Sequence, residues 1–169
     1  MERVSDTTVA LFYNNNNTGT WDVIIASVSG GVITLGTAVS LGATYGGVTG
    51  AKQKVTNLDT GKFFVSLTDG GANIYSCCFT VSGTTITKGS EVTTATSVAT
   101  IDYYQYYKLS TSSVLFSYCQ GGTYQRFIVF TISGTTVTGG ASALETTRSL
   151  RANGTSYAVF TFTQHTVAV

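Results

Sequence analysis

The sequence predicts an all-β protein that contains about three copies of a four-stranded antiparallel unit. Three observations lead to this prediction: a composition typical of strands, an internal repeat of 51 to 53 residues, and apolar runs separated by Gly-rich or polar turns. Charged residues make up only 10% of the chain, and Thr, Ser, Gly, Val and aromatic residues dominate it. Because stretches rich in Ala, Glu, Lys and Leu are absent, we expect essentially no helix.

The clearest repeated element is a Ser-Gly turn followed by an alternating strand. Three segments match without gaps, at residues 24–36, 77–89 and 128–140, and their Ser-Gly pairs lie 53 and 51 residues apart. Each segment predicts a β-hairpin, because Gly supplies positive φ at low cost and Thr-Ile-Thr alternates as a half-buried strand does. The strand before the turn is almost continuously apolar, which predicts that neighbouring sheets cover both of its faces.

Two further strands precede each hairpin. The nearer one is apolar and is predicted at residues 9–13, 63–67 and 114–118. The outer one is predicted at residues 2–5, 52–58 and 103–109. Four antiparallel strands in about fifty residues is the size of one propeller blade, so we expect a β-propeller-like array, with a β-trefoil or β-prism as the alternative. The units extend roughly over residues 1–45, 46–98 and 99–146.

The remaining segment, residues 147–169, predicts a partial fourth unit. It contains an aromatic strand with Tyr157, Phe160 and Phe162. Because an open array exposes strand edges, we expect this strand either to complete the N-terminal unit or to pair with another copy of the chain. The working state is therefore predicted not to be a free monomer, and deletion from Ser156 onward is expected to abolish folding or assembly.

Charge and cysteine content limit the partners. Nine Lys and Arg face eight Asp and Glu, for a formal charge of +1, and the cations do not cluster. This predicts no attraction to nucleic acid or to a membrane surface. The weak charge suits a protein that sits in an assembly, and no signal peptide or transmembrane run is visible. An odd set of cysteines, Cys77, Cys78 and Cys119, favours buried free thiols over a disulfide framework.

Motifs for chemistry are missing from the sequence. The single histidine, His165, lies near the C-terminus, and the carboxylates are scattered, with no Cys-x-x-Cys or His-Glu-x-x-His spacing. We therefore expect no catalytic, metal-binding or cofactor-binding residue. Two carboxylates brought together by folding, as in glycosidases, are the enzymatic alternative.

Polar loops are the candidate binding sites. The loops at residues 14–20, 68–73 and 119–123 occupy the same position in each unit, so they are expected to emerge on the same face of a stacked array. Their side chains can pair with sugar hydroxyls, although plain turns contain the same residues. The candidate binding residues are Asn14, Asn15, Asn16, Asn17, Trp21, Asp69, Asn73 and Gln120.

A tyrosine-rich strand is a candidate interface. Alternation sends Tyr104 and Tyr106 to one face and Tyr103 and Tyr107 to the other, so at least one face is expected to pack. Aromatic rings with a polar tip can stack on sugars or anchor a protein partner, and packing between units is the alternative. The aromatic residues of the C-terminal segment belong to the same candidate interface.

The hairpins Ser-Gly-Thr-Thr-Ile-Thr and Ser-Gly-Thr-Thr-Val-Thr, each after short aromatic strands, resemble the propeller-like repeats of bacteriophage tail-fibre and other virion proteins. The similarity extends from Val9 to about Phe162. It implies a non-enzymatic virion structural protein: a capsid decoration, head-fibre or tail-fibre component that is assembled in the host cytoplasm. Its implied partners are other virion proteins or copies of itself, and it would help attachment to the host surface. A lectin-like carbohydrate-binding repeat module, extracellular and recognising a cell-surface glycan, is the alternative.

Overall fold

The computed structural model describes residues 1–44, 53–68, 73–95, 104–120, 124–140 and 143–145. These residues form fifteen β-strands and no helix, which confirms the predicted all-β class. Within the same ranges, no helix is long and apolar enough to cross a membrane. The predicted fourth unit, residues 147–169, lies outside the described residues.

The strands form three antiparallel sheets in chain order. The first sheet contains β1 (Glu2–Ser5), β2 (Thr8–Asn15), β3 (Thr20–Ser29), β4 (Val32–Leu35) and β5 (Val39–Thr44). The second contains β6 (Gln53–Asp59), β7 (Lys62–Thr68), β8 (Ile74–Ser82), β9 (Thr85–Lys88) and β10 (Val92–Ala95). The third contains β11 (Tyr104–Ser110), β12 (Ser113–Gln120), β13 (Tyr124–Ser133), β14 (Thr136–Gly139) and β15 (Ala143–Glu145).

Each sheet is four strands wide because its last strand is divided in two. In the first sheet, β4 pairs with one half of β3 and β5 pairs with the other half, both on the side away from β2. The other two sheets repeat this pattern. A glycine follows the first half of the divided strand, and its N–H donates to the long third strand: Gly36 to Ile25 O at 2.8 Å, Gly89 to Cys78 O at 2.9 Å and Gly140 to Val129 O at 2.9 Å.

The predicted Ser-Gly turns are confirmed as two-residue hairpin turns. Each Ser pairs with the residue three positions later, as Ser82 does with Thr85. Gly30, Gly83 and Gly134 have φ values of 56°, 58° and 57°, the left-handed region that a tight two-residue turn requires. The register of the hairpins therefore follows from the turn chemistry.

The core lies between successive sheets, in two clusters. One cluster joins the first and second sheets and contains Ile25 and Phe79, and the other joins the second and third sheets and contains Phe64 and Phe130. Neither cluster combines described residues of the first sheet with those of the third. The second sheet therefore lies between the other two, and both faces of its strand β8 are covered, as predicted. For β13 the same prediction is wrong among the described residues, because Val129 on its other face is 43% exposed.

Two neighbouring cysteines illustrate this two-sided burial. Cys77 belongs to the cluster with the first sheet, Cys78 to the cluster with the third sheet, and both are buried and free. Burial raises the pKa of the Cys77 thiol to about 12 and that of the Cys78 thiol to about 11, against an ordinary value of 9.0. Both thiols are therefore neutral at physiological pH. The side chain of Cys119 lies outside the described residues.

A hairpin turn of each following sheet covers the glycine of the sheet before it. A Cβ added at Gly36 would collide with the carbonyl oxygen of Thr84, and one added at Gly89 would collide with that of Thr135. The contact needs glycine because backbone meets backbone there. We call the glycine and the third-strand residue it bonds the notch of each sheet, and we call the two turn residues the hairpin tip. The notches are Gly36 with Ile25, Gly89 with Cys78, and Gly140 with Val129; the tips are Gly30-Gly31, Gly83-Thr84 and Gly134-Thr135.

Candidate functional site

The loops between the second and third strands lie at the same end of each sheet. In the first sheet this loop connects Asn15 to Thr20, which pair across the hairpin. The corresponding loops connect Thr68 to Ile74 and Gln120 to Tyr124. The strands are longer than expected, since Asn14 and Asn15 lie in β2 and Gln120 lies in β12. Only the first loop is described in full.

The polar groups of the first loop largely bond one another. The side-chain amide of Asn15 donates to Asp22 Oδ2 at 2.8 Å, and Thr20 Oγ1 donates to Asp22 Oδ1 at 2.8 Å. The carbonyl of Asn15 accepts the N–H groups of Thr18 and Gly19 at 3.1 and 2.7 Å. Asp22 is buried, so its carboxylate would be costly without these donors. Asn15 and Asp22 therefore hold the loop in shape.

The other four candidate residues in or beside this loop differ in how exposed their side chains are. Asn14, Asn16 and Asn17 are exposed at the end of the sheet. Trp21 is half-buried and packs against the cluster between the first and second sheets. The exposed amides are free to contact a ligand such as a sugar, whereas Trp21 mainly fills the core edge.

The other loop candidates are only partly described. Asn73 is half-buried immediately before β8, and the backbone of Gln120 continues β12. Asp69 lies outside the described residues. The expectation that the three loops form one binding site therefore stays a prediction.

The tyrosine strand β11 faces the second sheet. The Tyr106 ring packs against Phe116 with centroids 4.7 Å apart and against Phe64 at 5.5 Å. Tyr106 thus belongs to the packing between the second and third sheets. Tyr107 is half-buried, and Tyr104 pairs in register with Tyr118. Tyr103, Tyr157, Phe160 and Phe162 lie outside the described residues.

Polar contacts connect the second and third sheets. Lys54 Nζ donates to Gln105 Oε1 at 3.0 Å, and partial burial lowers the pKa of this ammonium group. Lys62 Nζ donates to the carbonyl of Thr111 at 3.3 Å. These lysines act as links between sheets.

In the part of the chain that the structure describes, no group of three or more His, Cys, Asp or Glu side chains is placed to hold a metal ion. His165 lies outside those residues. Comparison with family models, curated proteins and solved structures found no match to this chain.

The most distinctive surface was missed by the sequence reasoning. The hairpin of the first sheet exposes large apolar side chains in β4 and at the end of β3: Val28, Val32, Ile33 and Leu35. The signal was present in the repeat, because β4 reads Val-Ile-Thr-Leu where the second and third sheets have Thr-Ile-Thr-Lys and Thr-Val-Thr-Gly. Exposed apolar side chains on an edge strand indicate an interaction surface.

Proposed function

We propose that this chain is a non-enzymatic structural protein of a virion, a propeller-like repeat module that decorates a capsid or forms part of a head or tail fibre. Its partners are other virion proteins or copies of itself, and it is assembled in the host cytoplasm. The likeness of its Ser-Gly-Thr-Thr hairpins to virion repeats supports the proposal.

The single observation that carries the assembly role is the exposed apolar hairpin of the first sheet. Ile33 is 68% exposed and Leu35 is 58% exposed on an edge strand. An edge strand of a free protein is usually protected by charges, bulges or a covering element. A chain with a formal charge of +1 adds little repulsion between molecules. Both features favour a molecule that is covered by a partner when it works.

Mass spectrometry of purified particles tests the virion role. Particles are purified from cells in which the genome that encodes this chain is replicating, and its peptides are quantified against the major capsid protein. We expect several copies per particle that resist a high-salt wash. Particles that lack these peptides would refute the virion role.

The exposed amides of Asn14, Asn16 and Asn17 favour a second candidate, a lectin-like module. Exposed amides are suited to sugar hydroxyls, and repetition of such loops would supply avidity. A glycan array probed with the intact protein distinguishes the lectin-like function from the purely structural one. Binding that is lost in the double variant N14A/N16A supports the lectin, and a silent array removes it.

A further inference from the structure

The contacts between successive sheets follow one rule. The hairpin tip of the second sheet lies over the notch of the first, at Gly36, and the tip of the third sheet lies over the notch of the second, at Gly89. The carbonyl of Gly134 in the third tip also lies 3.9 Å from Cys78 Sγ. The same backbone pairing therefore occurs at both interfaces, despite different side chains.

The rule leaves the first tip without a notch among the described residues. A Cβ added at Gly31 would meet nothing within 4 Å, whereas the equivalent Thr84 and Thr135 lie against Gly36 and Gly89. Behind this tip, Val28 and Ile33 are 45% and 68% exposed. Their equivalents in the third sheet, Ile132 and Val137, are buried against the second sheet.

The rule also leaves the third notch without a tip from any of the residues that the structure describes. At Gly140 the nearest described atom to an added Cβ is the carbonyl oxygen of Val129, at 3.0 Å, in the same sheet. Val129 is 43% exposed, whereas the equivalent Ile25 and Cys78 are completely buried. The two ends of the array therefore carry complementary halves of one interface.

We propose that the hairpin of the first sheet inserts into the notch of the third sheet of a second copy of this chain, joining copies head to tail. The proposal rests on the assembly role above and identifies its partner. In this contact Gly30-Gly31 covers Gly140, and Ile33 and Val28 pack against the outer face of the third sheet beside Val129. Because the two surfaces differ, the contact is heterologous and generates a ring or a filament.

The sequence favours a second copy over the C-terminal segment as the occupant of the notch. In all three sheets a hairpin with a Ser-Gly pair at its tip follows the second strand, and in the second and third sheets this hairpin inserts into a notch. Residues 146–169 contain no Ser-Gly pair, and their one glycine, Gly154, precedes the aromatic stretch at residues 157–162. The first hairpin, in contrast, has the turn length and register of the two that insert.

Sedimentation of the purified protein and of two variants tests the proposal. Ile33→Lys blocks the tip side and Val129→Lys blocks the notch side. Both substitutions replace an exposed residue. Thr34→Lys is the matched control, since Thr34 and its equivalents Thr87 and Thr138 are all exposed. Circular dichroism checks that each variant is folded.

We expect the intact chain and T34K to form oligomers of the same size. For I33K and V129K we expect a dissociation constant of self-association at least about tenfold higher. A mixture of I33K and V129K should form a particle of two chains and nothing larger, because one intact tip and one intact notch remain. A monomeric intact chain, a T34K variant as impaired as I33K, or a mixture that stays monomeric would overturn the proposal. Because these measurements use no virus, a failure here leaves the particle assay as a separate test of the virion role.

Discussion

Alanine substitution of the three notch glycines is expected to separate covered notches from the open one. None of the three has a positive φ, so alanine is compatible with the backbone itself. At Gly36 and Gly89 the new methyl group would collide with a backbone carbonyl of the next sheet, which cannot rotate away. Such overpacking typically costs about 1 to 3 kcal/mol, and the lower entropy of the unfolded chain returns about 0.4 to 1 kcal/mol.

The net loss for G36A or G89A therefore centres on about 1.3 kcal/mol, within a range of about 0 to 2.6 kcal/mol, and the central value corresponds to a decrease in Tm of roughly 3 to 5 °C for a chain of this size. G140A meets only the carbonyl oxygen of Val129 in its own sheet, at 3.0 Å, and a shift of a few tenths of an ångström relieves this contact, so its cost should stay below about 0.5 to 1 kcal/mol. Thermal and urea unfolding are measured in the I33K background to remove self-association. If G140A were as destabilising as G36A, the hairpin tips would not be what requires glycine in the covered notches.

Three further substitutions follow from the core and the loop. Phe64→Ala removes a ring that contacts Tyr106 and Phe130 between two sheets, and should lower the free energy of unfolding by about 3 to 5 kcal/mol in urea titrations. Burial raises the pKa of Cys77 and Cys78 above 9.0, so the two neutral buried thiols make their full contribution to the free energy of unfolding below pH 9. This contribution should fall by about 1.4 kcal/mol per pH unit per thiol above that, and the double variant C77V/C78V should flatten this dependence. Asp22→Ala leaves the donors of the first loop unpaired and should cost about 1 to 3 kcal/mol in thermal unfolding, whereas exposed Asn16→Ala should be close to neutral.

The strands and hairpins were predictable because their signals are local. The Ser-Gly pairs set two-residue turns, and the alternation at Thr85-Ile86-Thr87 sets a strand with one apolar face. The continuous apolar run at Cys77-Cys78 correctly indicated that both faces of β8 are covered. For the hairpins a period of two and a turn residue were sufficient, and for β8 the continuous apolar run was.

The division of the fourth strand was not predictable from strand propensity. Gly36, Gly89 and Gly140 occur at matching positions in the aligned segments, but at Gly36 and Gly89 the reason for glycine is the tip of another sheet, more than forty residues away. A contact between backbones of distant segments leaves no periodic signal. The repeat alignment was the only available indication.

The candidate site was predicted in part and for partly different reasons. The Asn-rich loop is exposed at Asn16 and Asn17. In contrast, the side chain of Asn15 donates to the buried Asp22, and Trp21 packs at the core edge. The exposed hairpin was overlooked because Val-Ile-Thr-Leu is an ordinary strand sequence. It becomes distinctive only when the structure leaves these side chains exposed while their equivalents are buried.

Photo-cross-linking from position 33 tests the central claim most directly, that the contact between successive sheets continues between copies of the chain. Protein with a photoreactive phenylalanine analogue in place of Ile33 is mixed with isotopically labelled intact protein, irradiated and digested. Mass spectrometry then identifies the acceptor peptide and its chain of origin. The account predicts an acceptor within residues 124–140 on a labelled partner; cross-links confined to the same chain, or to a partner surface remote from Val129 and Gly140, would contradict it.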